Sequence, residues 1–441
     1  MIHSFRKHLS MPGLLRIVGR SFDALPDDRR SRSITLKDCL LSALAVFHQK
    51  FPSLLQFDRS MRHPDDPVAA HNLRHLFGIT KPPSDTTMRE RLDAVNPRDL
   101  RRCFTELFAQ LQRGKVLEAY TVMDGHLAIA LDGTGTFSSH SIHCDNCCVK
   151  NHQDGSKTYY HQALVGAIVH PDIKEVFPLA PEPIRRADGT TKNDCERNAA
   201  KRFLTDLRRE HPHLKAIIIE DGLASNGPHV KLLKEKDFRF ILGAKPKDHE
   251  LLFSWFEASD TRQELERLDP QTHQCFAWDR DIPLNDAHFD TRVHVLRYTE
   301  VDKHGKKKVF SWVTDLPLTR ETVPDIVRIG RRRWAIENET FQTLKDGTGY
   351  SFEHNYGHGN KYLADVFVVF ALLGFLMDQV QSHCCALFQR ARDYQERNLY
   401  LWDAMRTLFR SYQIDNWKDY FYALSGHLDK PELAAHLSGG P

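Results

Sequence analysis

The chain has 441 residues, enough for one large core or several smaller ones, since domains commonly run to ~100–200 residues. Hydrophobic residues make up 41% and charged residues 27%, an ordinary globular balance that excludes wholesale disorder. The formal net charge of +3 does not announce a polyanionic partner, yet basic residues gather locally at Arg29, Arg30 and Arg32, at Arg185 and Arg186, at Lys306, Lys307 and Lys308, and at Arg328, Arg331, Arg332 and Arg333, as basic stripes offset by acidic surface would.

The first residues turn polar at once, so no secretory signal is expected there. Nine cysteines, an odd number, then suggest reduced thiols and a cytoplasmic protein. Apolar residues at helical spacing, such as Leu40, Leu41, Leu44 and Phe47 and later Leu100, Phe104, Leu107, Phe108 and Leu111, predict a helical N-terminal region over 1–120. Within it, 81–87 breaks one helix and offers Ser84 or Asp85 as the cap of the next.

From about 125 the texture changes to strands at 127–131, 159–170 and 175–179, a helix over 193–210 that 192–196 could cap, a strand at 216–220, a helix at 229–235 and a strand at 238–243. Periodicity alone supports a mixed α/β unit here, 121–245. Residues 246–308 are more polar and strand-like, a β-rich insertion. The core resumes over 309–360, with a strand at 309–314 and a helix from about 319 to 345, and 361–441 is helical again. The longest apolar run, 366–377, is short of a ~20-residue membrane span and is bounded by Asp365 and Asp378. It is expected to be a buried core helix, with no membrane involved.

Three acidic positions stand out. Asp132 ends the first strand and precedes Gly133-Thr134-Gly135, which permits a tight turn near a ligand; Asp221 follows the strand at 216–220; Glu337 lies in the later helix. Glu220 alternates to the opposite strand face from Asp221. Glu339 lies ~200° from Glu337 around a helix, whereas Arg333, Phe341 and Leu344 share the Glu337 face. Carboxylates gathered at one sheet end repel one another unless compensated. They suit hard divalent ions, and two such ions ~3.5–4 Å apart can activate a nucleophile and offset charge on a leaving oxygen.

Cys144 and Cys147 form a Cys-x-x-Cys pair flanked by histidines, half of a structural zinc site. A second pair is missing, so Cys148, His143, His152 or a remote group would complete it; otherwise the loop is a reduced polar segment facing DNA. His354, Asn355, Tyr356 and His358 mix aromatic and polar donors suited to DNA backbone or flipped-base contacts, or else satisfy one another locally. Lys345 could hold a phosphate or be solvated.

Residues 330–339, Gly-Arg-Arg-Arg-Trp-Ala-Ile-Glu-Asn-Glu, followed by Phe341, Leu344 and Lys345 and by Glu-His-Asn-Tyr-Gly-His-Gly at 353–359, carry a family likeness. So do Ser-Ile-Thr-Leu at 33–36, Phe-Pro-Ser-Leu-Leu-Gln-Phe-Asp at 51–58, Pro-Ser-Asp-Thr-Thr at 83–87 and Trp-Val-Thr-Asp at 312–315. Together they span most of the chain, which resembles the DDE transposases of bacterial insertion sequences, in or near the group typified by insertion sequence 4. The resemblance implies an RNase H-like catalytic core with a β-rich insertion, flanked by N-terminal and C-terminal helical regions, the N-terminal one (1–120) binding DNA. It implies Asp132, Asp221 and Glu337 as catalytic ligands of Mg2+ (or Mn2+), with Arg333, backed by Arg331, Arg332 and Lys345, at the DNA phosphates. Terminal inverted repeats and target DNA would be the partners, bound by a homodimer. The sequence departs from the family pattern in having Gly330 where a Tyr is expected, and Leu344, with Lys345 one place later, where a Lys is expected. A nuclease or resolvase on the same core, or a DNA-binding protein that has lost catalysis, are the alternatives.

Overall fold

The structure is a computed structural model and describes residues 8–27, 33–62, 67–186, 195–268, 272–345, 349–353 and 356–427. Residues 127–131 and 216–219 are apolar without alternation, which suits strands covered on both faces. They begin a mixed sheet whose strands, in chain order, are β1 (Leu127–Ser139), β2 (Cys148–Asn151), β3 (Lys157–His170), β4 (Ile173–Pro178), β5 (Glu182–Ile184), β6 (Ala216–Glu220), β7 (Arg239–Gly243), β8 (Gln263–Leu268), β9 (Thr272–Pro283), β10 (Arg292–Asp302) and β11 (Lys307–Thr314). The spatial order is β2-β3-β1-β6-β7-β11-β10-β9-β8, with β4 and β5 also pairing β3.

β1 runs antiparallel to β3 and parallel to β6, and β6 runs parallel to β7. Parallel neighbours need a crossover. The helix Gly227–Glu235 supplies one between β6 and β7; the Asn226 side chain caps it by accepting from the His229 amide, and Pro sits in its first turn. The helix Glu196–Glu210 precedes β6 and packs on β1, β3 and β5. Of the segment expected to cap it, 192–194 lies outside the described residues, and Cys195 at the cap position makes no side-chain capping bond.

The strands of 246–308 continue this sheet. β11 pairs β7 through Trp312↔Gly243, Val313↔Leu242 and Thr314↔Ile241, and β10, β9 and β8 follow antiparallel. The N-terminal and C-terminal helices likewise share one core. Helix Leu363–Cys384 lies against Leu36–His48, with Phe367 and Phe47 ring centres 5.9 Å apart. Asn72 donates to the Phe409 and Tyr412 carbonyls, and Trp417 donates to the Leu76 carbonyl. Among the described residues Leu363–Cys384 alone is long and apolar enough to cross a membrane, but 89% of its most apolar window is buried inside the protein. It is a core helix, longer than the run 366–377 because it takes in Asp365 and Asp378, each neutralised by a cation, Arg185 and Lys50.

Residues 319–345 do not form the single helix expected. Helix Val323–Arg331 ends in a turn at Arg332 and Arg333, and the chain then winds as a π-helix over Ile336–Gln342 before one turn at Thr343–Lys345. The amides of Ala335 and Ile336 reach back three residues, to the carbonyls of Arg332 and Arg333. Gly330 explains the close approach before the break: a Cβ there would stand 3.0–3.1 Å from Trp312 of β11 and Ile241 of β7, so no tyrosine fits. The break sends neighbouring arginines apart, Arg332 to the Ile173 carbonyl and Arg333 to Asp132. π-helical turns of this kind are frequent at functional sites.

Candidate active site

β1 pairs β6 only from Leu127 to Ala130 and then continues alone with β3. Asp132 is therefore not at a strand end as expected. It sits within β1, opposite Val165, where β6 has stopped and one strand edge is open. Continuing the register of Ala130↔Ile219 by two residues brings Asp132 level with Asp221. Asp221 is exposed just past β6, its Oδ1 accepting the Leu223 amide at 2.9 Å in an Asx turn. Glu220 points the other way, buried, with its Oε2 2.5 Å from His229 Nε2. Burial disfavours the charged imidazole of His229, but Glu220 outweighs it and raises its pKa.

Arg333 joins the other two carboxylates. Its Nη1 is 3.1 Å from Asp132 Oδ2 and its Nη2 is 2.6 Å from Glu337 Oε1. The four-residue spacing keeps Arg333 and Glu337 together despite the π-helix, while Glu339 is half-buried elsewhere. Burial, opposed by Arg333 and reinforced by Glu337, pushes Asp132 up to about 7. One guanidinium thus leaves Asp132 under-compensated.

A fourth carboxylate, overlooked in the sequence, belongs here. Glu196, in the first turn of its helix, presses on Gly133: a Cβ at that glycine would collide with the Glu196 carboxyl. Burial, then Asp221 and Glu220, raise its pKa. Gly133 is needed for this approach and not for a turn. An acidic residue in a first helical turn is ordinarily a dipole partner, so nothing in the sequence singles Glu196 out.

Asp221 and Arg333 line one cleft of ≈720 Å³, whose rim carries Lys245, Lys308, Arg331 and Trp334. Trp334 is 54% exposed, unusual for so large an apolar ring. A second cleft of ≈490 Å³ meets the first at Asp221, Gly222 and Lys245 and adds Arg197.

Several residues read as DNA contacts are used otherwise. Arg332 is spent on the Ile173 carbonyl. Tyr356 is buried with its hydroxyl donating to the Phe51 carbonyl, because the segment tucks under the Leu36–His48 helix. His358 is buried beside Cys147. Lys345 pairs with Glu353, and Arg331 pairs with Glu300 while remaining at the cleft. His354 and Asn355 lie outside the described residues, as do Arg29, Arg30 and Arg32. Cys144 and Cys147 stand with His161 and His358, not with the neighbours considered: His143 stacks on Tyr159, His152 bonds Thr158, and the Cys148 sulfur faces the Ile184 carbonyl.

Comparison with protein-family models finds no match for this chain, and comparison with curated proteins finds none.

Proposed function

We propose that this chain is a DNA transposase that cleaves element ends with divalent metal and joins the freed 3′ ends to target DNA. The observation that carries the reading is that Arg333 pairs with both Asp132 and Glu337 and lines the same cleft as Asp221, at the open edge where β1 outruns β6. The sheet supports it: an antiparallel β3 beside β1, then β6 and β7 parallel to β1, is the strand arrangement of an RNase H-like core, extended here by β11 to β8. One fold hosts many activities, so the function rests on the site.

The donor chemistry is that of Mg2+ or Mn2+, but Asp132, Asp221 and Glu337 do not have ligand atoms all within 4.8 Å of one another, so binding would have to draw them together. The donors are all oxygen, and burial, with Glu337 adding to it, disfavours the ionised form of Asp132, which a bound cation would favour. Asp132, Asp221 and Glu337 would hold the metal, which when bound supplies a stronger nucleophile and compensates the leaving oxygen. Arg333 holds Asp132 and Glu337 in mutual orientation, a positioning role that leaves it beside the scissile phosphate. Lys245, Lys308 and Arg331 line the path of the phosphate backbone, and exposed Trp334 offers a stacking face for an unpaired base. Element ends and target DNA are the partners, bound by a homodimer.

The direct test incubates the protein with Mg2+ and DNA carrying candidate element ends, then maps the products. Joined products support the transposase; cleavage without joining leaves a nuclease or resolvase, and binding without cleavage a DNA-binding protein. Binding itself should fall by on the order of 10³-fold between ~50 and ~200 mM salt if about six phosphates are neutralised. A salt-insensitive constant would remove the basic rim from the account. Gly133→Ala should displace the flexible end of Glu196 with under ~1 kcal/mol of lost stability, and weaken Mn2+ binding roughly tenfold by titration calorimetry. Unchanged affinity would separate Glu196 from the metal site.

A further inference from the structure

Four ligand atoms from three separate stretches of chain converge away from the carboxylates. Cys144 and Cys147 come from the loop between β1 and β2, His161 from β3, and His358 from the segment beyond the Glu337 helix. Four of the six edges of the figure they form are 4.0 Å (Cys144 Sγ to Cys147 Sγ), 3.5 Å (Cys144 Sγ to His161 Nε2), 3.2 Å (Cys147 Sγ to His358 Nε2) and 3.0 Å (His161 Nε2 to His358 Nε2), and the other two are within 4.8 Å. A tetrahedral zinc with bonds of about 2.3 Å to sulfur and about 2.0–2.1 Å to nitrogen requires edges of roughly 3.8, 3.5 and 3.3 Å. The observed edges scatter around those values. Two sulfurs 4.0 Å apart are not a disulfide.

We propose that Cys144, Cys147, His161 and His358 bind one structural zinc ion that fastens the segment following the Glu337 helix to β3 and to the β1–β2 loop. The outer groups suit it. His161 Nδ1 lies 3.3 Å from Asp365 Oδ1, and Asp365 is buried and held by Arg185 Nε at 2.8 Å. His358 Nδ1 lies 3.2 Å from the Gly359 carbonyl. Each ring is thereby oriented with Nε2 toward the centre, as carboxylate- or carbonyl-backed ligating histidines are. The Cys147 amide bonds the Cys144 carbonyl, closing the turn that presents both sulfurs. Four protein ligands leave no open position, so the site is structural, and its soft sulfur donors select zinc over the magnesium suited to the carboxylates. Cys147, His161 and His358 are buried, so the ion would be part of the core, joining positions more than two hundred residues apart in sequence.

The test does not depend on transposase activity. Full-length protein purified without chelator should carry about one zinc per chain by elemental analysis. Grown on cobalt, it should show the visible absorption of a tetrahedral thiolate–cobalt centre. His161→Ala and His358→Ala should each lose the metal, whereas His143→Ala and His152→Ala should keep it. If the first two variants fail to fold, mercurial titration of the wild type serves instead, releasing the zinc as two thiols are consumed. Wild-type protein without zinc that forms no tetrahedral cobalt centre, or stoichiometric zinc retained in both His161→Ala and His358→Ala, would overturn the proposal.

Discussion

Glu337→Gln is expected to lower Mg2+-dependent strand cleavage by at least ~10³-fold, about 4 kcal/mol of transition-state stabilisation, while binding to element ends changes little. The amide keeps the shape of the side chain and can still accept from Arg333 Nη2, so the fold and the DNA-binding rim should survive. What is lost is the negative oxygen that a divalent ion requires. Asp132→Asn and Asp221→Asn should behave alike, since these residues lie level at neighbouring strand positions. Glu339→Gln, half-buried away from Arg333, should cleave within a few-fold of wild type. Single-turnover cleavage of labelled ends, beside circular dichroism and filter binding, separates chemistry from folding and binding. Full activity in Glu337→Gln together with a dead Glu339→Gln would sink the assignment.

What could be read from the sequence divides along the range of the interactions. The strands at 216–220 and 238–243 and the helix before them were legible because uninterrupted apolar runs and helical spacing are local signals. The opposition of Glu220 and Asp221 followed from the two-residue strand period. The break at Arg332 was not legible. Both halves of 319–345 have helical spacing, and the approach at Gly330 depends on Trp312 and Ile241, set by sheet pairing. The sequence puts Asp132 at a strand end, since the apolar run stops at Leu131 and Gly133-Thr134-Gly135 resembles a turn, while in the structure these residues pair with β3. The same limit hid His161 and His358 from Cys144 and Cys147: only the fold brings them together. Tyr356 and His358 lie in a polar stretch that reads as surface donors; Tyr356 is covered by a helix three hundred residues earlier, and His358 by Phe137, Cys147 and His161.

The other large effect expected is on stability, at a charge pair buried among the helices. Lys50, fully buried at a left-handed backbone position (φ 57°), places its Nζ 2.5 Å from Asp378 Oδ2 and 2.8 Å from the His48 carbonyl, with the Tyr350 and Trp402 rings each 4.4 Å away. Tyr350 donates to the same Asp378 oxygen at 2.5 Å. Burial drives Lys50 downward against the pull of Asp378, and drives Asp378 upward against Lys50 and Tyr350. A lowered lysine loses stability as pH falls below its ordinary value, and a raised carboxyl loses it as pH rises above its own. Across the neutral range the charged pair is therefore held at a cost, but either charge left alone would cost more. Lys50→Met should lower unfolding free energy by ~3–5 kcal/mol, because it strands a carboxylate in the core. Lys50→Met with Asp378→Asn should recover most of that loss: the asparagine oxygen still accepts from Tyr350, and no charge remains. Urea midpoints of the two single variants and the double variant measure the coupling, and losses that simply add would refute it. Tyr350 follows closely on the helix that carries Glu337, and Asp378 lies in the core helix Leu363–Cys384, so loosening this pair also frees the segment behind Glu337. Lys50→Met should consequently lose metal-dependent cleavage at temperatures below its own unfolding midpoint, and the double variant should regain it.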